Sequence, residues 1–230
     1  MTSKEIVARL RKLADPKRAE GMYMYGINAE KTFGVPVPML RAIAKEAGRD
    51  RKLAAELWKS GIHEARIIAP LVEEPDRVTE KQMERWVRDF DSWDICDLCC
   101  NNLFWKTAFA HDRAAEWSKR DEEFVRRAGF VMMAVLAVHD KAAPDSRFTP
   151  YLAAIRRAST DERNFVKKAV NWALRQIGKR TPALNRRAIA TAEKIAGLDS
   201  KAARWIASDA LRELRSEKVQ ERLRRKATKE

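Results

Sequence analysis

Residues 161–178 read DERNFVKKAVNWALRQIG, and their apolar side chains recur with the period of an α-helix. On a helical wheel at about 100° per residue, the apolar side chains fill one half. They are Phe165, Val166, Ala169, Val170, Ala173, Leu174 and Ile177. The stretch therefore predicts a helix that buries this half against neighbouring helices.

The same period recurs along most of the chain and predicts an all-α protein. After a first helix marked by Ile6, Leu10 and Leu13, the predicted helices cover about 38–47, 51–59, 63–73, 79–89, 93–104, 111–118, 121–138, 148–158, 161–178, 182–196 and 200–214. Helix pairs recur at roughly 35–45 residues, the length of HEAT-like or armadillo units. We predict a superhelical stack of HEAT-like repeats with a concave basic groove, and a compact bundle is the alternative. The stack is expected to form one domain over residues 1–230, with a helical tail from about residue 215.

The composition restricts the class of protein. Eight Gly and eight Pro among 230 residues are too few for the turns of an all-β sandwich. Cys96, Cys99 and Cys100 are clustered in sequence, which argues against a disulfide framework and indicates a reduced, cytoplasmic protein. The first fifteen residues are charged throughout, unlike a signal peptide, and the near-apolar run 129–138 is too short to span a membrane.

The charge is large and unevenly distributed. The chain has 47 Lys and Arg against 33 Asp and Glu, a formal net charge of +14. Residues 156–187 hold ten bases and two acids, whereas residues 73–97 hold nine acids and four bases. Such a balance suggests a polyanionic partner, with nucleic acid ahead of an anionic membrane. A basic protein that is merely soluble is the alternative.

A cationic stripe runs along the flank of the 161–178 helix. It consists of Lys168, Trp172, Arg175 and Lys179, outside the apolar half. Its three cations can neutralise backbone phosphates, and a Trp between them can stack on a base or lie along a sugar. The alternative is a Trp that partly covers a neighbouring helix and keeps its indole N–H in water.

Residues 91–100, DSWDICDLCC, place Trp93 and Asp97 on one helix face, because the two are four residues apart. An indole face beside a carboxylate can hold a flat or cationic group. The structural alternative is a Trp in the core between repeats, with Asp97 bonded to a neighbouring helix. The cysteines are predicted to be small core residues rather than metal ligands, since Cys99 and Cys100 point in different directions.

Residues 124–138 are apolar on nearly all sides, which predicts a central helix. Arg126 and Arg127 lie in its first turns, so at least one of them must enter a buried region. A buried guanidinium needs a carboxylate, a phosphate or carbonyl groups as partners. The alternative is an arginine whose side chain extends to the edge of the helix.

Several of these features together resemble a known family. Trp93-x-x-x-Asp97, Arg127 in Arg-Arg-Ala, and Trp172 in Lys-Lys-Ala-Val-Asn-Trp-Ala-Leu-Arg resemble the AlkD-type DNA glycosylases of the DNA alkylation repair family. The stretch from Tyr25 to Arg41 resembles the opening of that family, with Tyr23 as a second candidate for its tyrosine. The resemblance runs from about residue 20 to residue 180 and keeps order and spacing.

The resemblance implies HEAT-like repeats and a monofunctional glycosylase that excises N3- and N7-alkylated purines from duplex DNA without a metal or other cofactor. Asp97 is then the catalytic carboxylate, and Trp93 and Trp172 hold the deoxyribose of the lesion. The alternative is a non-catalytic HEAT-like protein that binds DNA or RNA through the same groove. A protein-interaction scaffold is a third possibility, but it leaves the cationic stripe unexplained.

Five residues are expected to bind DNA: Tyr25, Arg127, Lys168, Arg175 and Lys179. The resemblance implies that Arg127 contacts the phosphate backbone near the lesion and that Tyr25 lines the same groove. The expected partner is double-stranded DNA containing alkylated purines, with no membrane and no obligatory protein partner. We expect a monomer in the cytoplasm, associated with the nucleoid.

Overall fold

The computed structural model describes residues 1–28 and 30–228. Within this part of the chain it contains fourteen α-helices, three short 3₁₀ turns and no strand, which confirms the all-α prediction. The helices are α1 (Ser3–Lys12), α2 (Pro16–Met22), α3 (Val37–Ala47), α4 (Arg51–Lys59), α5 (His63–Val72), α6 (Glu80–Arg88), α7 (Trp93–Asn102), α8 (Ala110–Trp117), α9 (Glu123–His139), α10 (Asp145–Ala158), α11 (Asn164–Gly178), α12 (Pro182–Ala196), α13 (Lys201–Leu214) and α14 (Glu217–Ala227).

The predicted helix boundaries agree with the structure to within three residues, and α14 confirms the helical tail. Helix α2 is absent from the prediction. It begins at Pro16, a favourable first helical residue, and the Asp15 carboxylate accepts a hydrogen bond from the Arg18 N–H at 3.0 Å. The Asp15–Pro16 pair therefore starts a second helix as well as ending the first.

The chain forms two compact units, Met1–Ala108 and Phe109–Glu230. In the first unit, α3, α4 and α7 all pack against α5, and α1 packs against both α4 and α5. The prediction of one repeat domain over residues 1–230 stays a prediction, as do the superhelical shape and the concave basic groove.

In the second unit, α9, α11 and α13 form one row, and α8, α10 and α12 pack against it. Helices α9, α11 and α13 begin at residues 123, 164 and 201, so their starts are 41 (164 − 123) and 37 (201 − 164) residues apart. These intervals agree with the predicted repeat length. Helix α14 packs at the end, against α12 and α13.

Helix α9 is enclosed nearly all round, as its sequence predicts, since only five of its 17 residues are not buried. At Gly129 it approaches the end of α8 so closely that an added Cβ would lie 2.3 Å from the Ser118 nitrogen. Only glycine permits this approach between two backbones. None of the described helices is both long enough and apolar enough to cross a membrane.

Glu64, in the first turn of α5, is completely buried and holds the segment that leads into α3. Its Oε1 atom accepts four hydrogen bonds at 2.7–3.2 Å. The donors are the Thr32 hydroxyl and the backbone N–H groups of Phe33, Gly34 and Val35. Because N–H groups of a buried segment need acceptors, one carboxylate here replaces a strand or helix partner.

We expect Gly129→Ala to lower the free energy of unfolding by about 1–3 kcal/mol or more, because the added methyl group forces α8 and α9 apart. Gly21→Ala is the matched control, since its Cβ meets nothing within 4 Å and lies in helix α2. Urea denaturation should show a small gain in stability for the control, since alanine is the better helix former. Equal stability of the Gly129 variant and the wild type would contradict the close approach.

We expect Glu64→Ala to cost about 3–5 kcal/mol of unfolding free energy, because it leaves four donors, two of them in buried residues, without this acceptor. Glu64→Gln should cost less, since its amide oxygen can still accept these hydrogen bonds. Glu20→Ala, at an exposed glutamate, is the control and should change stability by less than about 0.5 kcal/mol. A loss for Glu64→Ala as small as that of the control would refute the anchoring role.

Candidate functional site

Helix α7 begins at Trp93 and carries Asp97 one turn later. Both side chains are half-buried, so they share a partly exposed face, as their spacing predicts. The buried face of α7 consists of Ile95, Cys96, Cys99 and Cys100. Trp93 is therefore outside the fully buried core, which leaves its ring able to meet a ligand.

The three cysteines are free thiols in the core, in agreement with the prediction. Burial raises the pKa of the Cys99 thiol well above its usual range, with a smaller contribution from Cys96. Among the described residues, no group of three or more His, Cys, Asp or Glu side chains is arranged to hold a metal ion.

Tyr25 and Trp93 lie together in the first unit. The Trp93 indole Nε1–H donates a hydrogen bond to the Tyr25 carbonyl at 2.9 Å, which fixes the orientation of the indole ring. The Tyr25 side chain is 73% exposed, and the following Gly26 has a φ of 71°, which lets the chain turn sharply. Tyr23 is also exposed, so both tyrosines considered from the sequence are accessible.

A buried ion pair that the sequence analysis missed anchors the start of α7. His63 Nε2 lies 2.9 Å from Asp94 Oδ2, and His63 is only 4% exposed. The other Asp94 oxygen accepts from the Ser92 hydroxyl and from the Ile95 N–H, both at 2.9 Å. His63 and Asp94 are far apart in sequence, and neither residue belongs to a motif, so no sequence signal pairs them.

The pKa values of this pair shift in opposite directions. Burial by itself lowers the pKa of His63, but the hydrogen bond and charge of Asp94 outweigh burial and raise it above its ordinary value. Burial by itself raises the pKa of Asp94, and the hydrogen bond from His63 with its charge reverses this and lowers it. At pH values where His63 is protonated and Asp94 is ionised, the pair stabilises the folded protein next to Trp93.

The cationic stripe on α11 is only partly open. Lys168 is exposed and Trp172 is half-buried, and their predicted roles in DNA binding stay predictions. Arg175, however, forms ion pairs with Asp209, at 2.8 Å, and with Glu213. Lys179 lies 2.6 Å from the same Glu213 and its side chain is 16% exposed.

The carboxylates of α13 thus already neutralise part of this stripe, which the sequence analysis did not anticipate. A signal exists, because Asp209 and Glu213 are four residues apart, the same spacing as Arg175 and Lys179. The prediction that Arg175 and Lys179 bind DNA stays a prediction. Any phosphate must compete there with protein carboxylates.

Trp205 on α13 is another exposed indole, 42% accessible, with Lys167 Nζ 5.8 Å from its ring centroid. It lies beside α11, on which Trp172 and Lys168 are also accessible. Trp205 is not among the site residues predicted from the sequence.

Arg127 is the arginine of α9 that enters the core, as the sequence predicts for one of the pair. It is 6% exposed and donates a hydrogen bond from its guanidinium to the Phe165 carbonyl at 2.6 Å. Arg126 instead reaches the half-buried Asp161 at 3.2 Å. The expected contact between Arg127 and a DNA phosphate stays a prediction.

The sequence of residues 6–214 matches the model of the family described as DNA alkylation repair enzyme. The chain belongs to this family. A comparison with curated protein sequences finds no significant match. The four residues Trp93, Asp97, Arg127 and Trp172 all lie inside the matched range.

This chain is similar to a solved structure that is described as "a new family of proteins related to the HEAT-like repeat DNA glycosylases with affinity for branched DNA structures". The two are 21% identical, the similarity covers 92% of this chain and 95% of the other, and the TM-score is 0.78. This likeness shows the HEAT-like repeat fold. A designed armadillo repeat protein is 13% identical over 76% of this chain and 91% of its own, with a TM-score of 0.38, too low to inform the fold.

The His63–Asp94 pair predicts a defined pH dependence of stability. His63 contributes stability that is fully present below its unfolded pKa of about 6.5 and is lost as pH rises through the higher folded value. Asp94 contributes stability that is present above its unfolded pKa of about 3.9 and is lost as pH falls through the lower folded value. Between these limits the pair stabilises most.

We therefore expect the melting temperature of the wild type to fall more between pH 6 and pH 9 than that of Asp94→Asn. The variant lacks the carboxylate that holds the proton on His63. Thermal melts of both proteins, recorded at several pH values in one buffer series, provide the measurement. Parallel curves for the two proteins would show that the pair is not ionic.

Proposed function

We propose that this protein is a DNA glycosylase that removes N3- and N7-alkylated purines from duplex DNA. The observation that carries the proposal is the half-buried Trp93 and Asp97 on one face of α7, in a member of the DNA alkylation repair enzyme family. Trp172 on α11, also half-buried, supplies a second indole. The proposal requires that Trp93, Asp97 and Trp172 meet the same nucleotide.

An N7-alkylated purine is already cationic, so it leaves without a general acid. The bond from C1′ to the purine nitrogen breaks with both electrons going to the base, which becomes neutral. Positive charge then spreads over the sugar in an oxocarbenium-like transition state. A water molecule forms the new C1′–O bond and releases one proton to solvent, so the products are the free base and an abasic site.

Asp97 stabilises the positive charge on the sugar and orients the attacking water. The indole faces of Trp93 and Trp172 attract the polarised C–H groups of the deoxyribose. For Trp93, the hydrogen bond to the Tyr25 carbonyl and the anchoring of α7 by His63 and Asp94 fix the ring before DNA binds. A preorganised site needs no rearrangement when the charge develops.

DNA binding uses accessible side chains that lie close to the two tryptophans, Tyr25 beside Trp93 and Lys168 one turn before Trp172 on α11. Tyr25 and Lys168 are exposed, and each can reach the sugar-phosphate backbone. Arg127 is nearly buried, so its contact with a phosphate requires the backbone to enter closely beside α9. Arg175 and Lys179 contribute less salt-dependent affinity than free cations, because Asp209 and Glu213 already pair with them.

A second candidate function is binding of branched DNA without base excision. The similarity to a structure related to the HEAT-like repeat DNA glycosylases, from a family with affinity for branched DNA, favours it. In that case Trp93 and Asp97 bind DNA or stabilise the fold, and they do not cleave the N-glycosidic bond. Measuring excision and junction binding on the same protein separates the two functions.

We expect Asp97→Asn to abolish most excision while leaving duplex affinity within a few-fold of the wild type or raising it, since a negative charge near phosphates is lost. The measurement is single-turnover release of 7-methylguanine from a methylated duplex at saturating enzyme, beside duplex affinity by fluorescence anisotropy. Asp76→Asn is the matched control, because it removes an exposed carboxylate of the same unit that lies outside α7. Unchanged release by Asp97→Asn would exclude the assigned role.

Release by neither protein, together with tight binding of a four-way junction, would establish the second candidate function. In both outcomes circular dichroism must show that the variants are folded. A wild type that releases the base and an Asp97→Asn variant that does not would establish the glycosylase.

A further inference from the structure

Helices α10 and α12 pack against each other and, through their buried faces, against α11. Their exposed faces are strongly basic. Six cations lie there: Arg147, Arg156 and Arg157 on α10, and Arg186, Arg187 and Lys194 on α12. We call these six residues the α10–α12 cation surface.

The two acids of these helices do not neutralise this surface. Asp145 accepts a hydrogen bond from the Thr181 hydroxyl, and Glu193 forms an ion pair with Arg215. Within residues 1–28 and 30–228, none of the six cations forms an ion pair. On α11, by contrast, Arg175 is paired with carboxylates of α13.

Four of the six cations line two pockets, one at each end of the α10–α12 pair. Arg156, Arg157 and Lys194 line a pocket at the carboxyl ends of α10 and α12, and no carboxylate lines it. Arg186 lines a second pocket at the amino ends. Eight residues separate Arg186 from Lys194, about 12 Å along a helix, which is three to four base steps of B-DNA at about 3.4 Å each.

Helix stability alone does not account for these positions. The helix dipole favours cations in the last turn, where Arg156 and Arg157 lie, but disfavours them in the first turn, where Arg147 lies. Six like charges on two neighbouring helices also repel one another. A polyanion that bridges them removes both penalties.

We propose that the α10–α12 cation surface binds the phosphate backbone of a second DNA segment. This inference rests on the proposed function, in which α7, α9 and α11 meet the lesion-bearing strand. Because α10 and α12 turn their buried faces toward α11, their cations point away from it and serve a different stretch of DNA. A branched molecule supplies such a second segment in its other arm.

An anionic membrane is a poorer partner for this surface. Membrane-surface helices combine cations with large apolar side chains that enter the lipid. The large hydrophobic residues exposed in the described chain are Met1, Tyr23, Met24, Tyr25, Met39 and Trp205, and none of them lies on α10 or α12.

The test is a triple variant, Arg156→Ser, Arg157→Ser and Lys194→Ser, at three exposed positions. Anisotropy titrations at several salt concentrations compare a four-way junction with a linear duplex no longer than one arm. For the junction, we expect the slope of log K against log salt to flatten by about 2–3, since each lost contact contributes about 0.9. The short duplex should be affected less.

The control removes the same number and type of charges elsewhere: Lys4→Ser, Arg11→Ser and Arg85→Ser, all at exposed positions of the first unit. If the slope of log K against log salt for the junction flattens in the α10–α12 variant and not in the control, DNA binding by the α10–α12 cation surface is supported. Equal losses in both variants would show an effect of net charge only, and an unchanged junction slope would show no contact; either result overturns the proposal. Loss of sedimentation with phosphatidylglycerol vesicles, without any loss of junction affinity, would assign the surface to lipid instead.

Failure of this inference and failure of the proposed function are distinguishable. The α10–α12 variant should release 7-methylguanine from a short duplex at the wild-type single-turnover rate, because none of its substitutions lies on α7, α9 or α11. Asp97→Asn should do the reverse, losing release and keeping junction affinity. If the wild type releases no base and the α10–α12 variant loses junction affinity, the glycosylase activity is refuted. DNA binding by the α10–α12 cation surface is then supported.

Discussion

The candidate site in the first unit depends on the contacts that Glu64 and His63 make from the first turn of α5. The Glu64 carboxylate binds the segment 32–35, and the His63 N–H donates to the Lys31 carbonyl at 2.9 Å. The His63 ring, on the same turn, holds Asp94 at the start of α7. One turn of helix therefore fixes both the chain that follows Tyr25 and the helix that carries Trp93. Buried charges are costly, and they persist here because each has close partners.

The second unit contains two groups of cations, which differ in whether a carboxylate of a neighbouring helix pairs with them. Arg175 and Lys179 lie beside α13, whose carboxylates pair with them, and these contacts stabilise the packing of α11 on α13. In the part of the chain that the structure describes, no carboxylate pairs with the six cations of α10 and α12. The net charge of the chain does not depend on which cations form ion pairs. Only the packing of the helices therefore shows which cations are paired within the protein.

Much of the fold follows from the sequence because apolar periodicity reflects local geometry. The enclosed α9, the buried cysteines and the entry of one arginine into the core all follow from which residues share a helix face. Helix α2 was missed because it is short and has no buried residue, so it lacks an apolar stripe. Glu64 resembles an ordinary first-turn acid in the sequence, and only the packing of segment 32–35 over it shows its role.

The sequence by itself determined the helices, their repeat, the shared face of Trp93 and Asp97, and membership of a family of DNA alkylation repair enzymes. These properties depend on residues a few positions apart or on order along the chain. The tertiary structure decided which charges are paired, because ion pairs such as His63–Asp94 and Arg175–Asp209 join residues about thirty positions apart. Such partners meet only when helices pack, and their distance and burial set whether a charge stabilises the fold or remains free to bind.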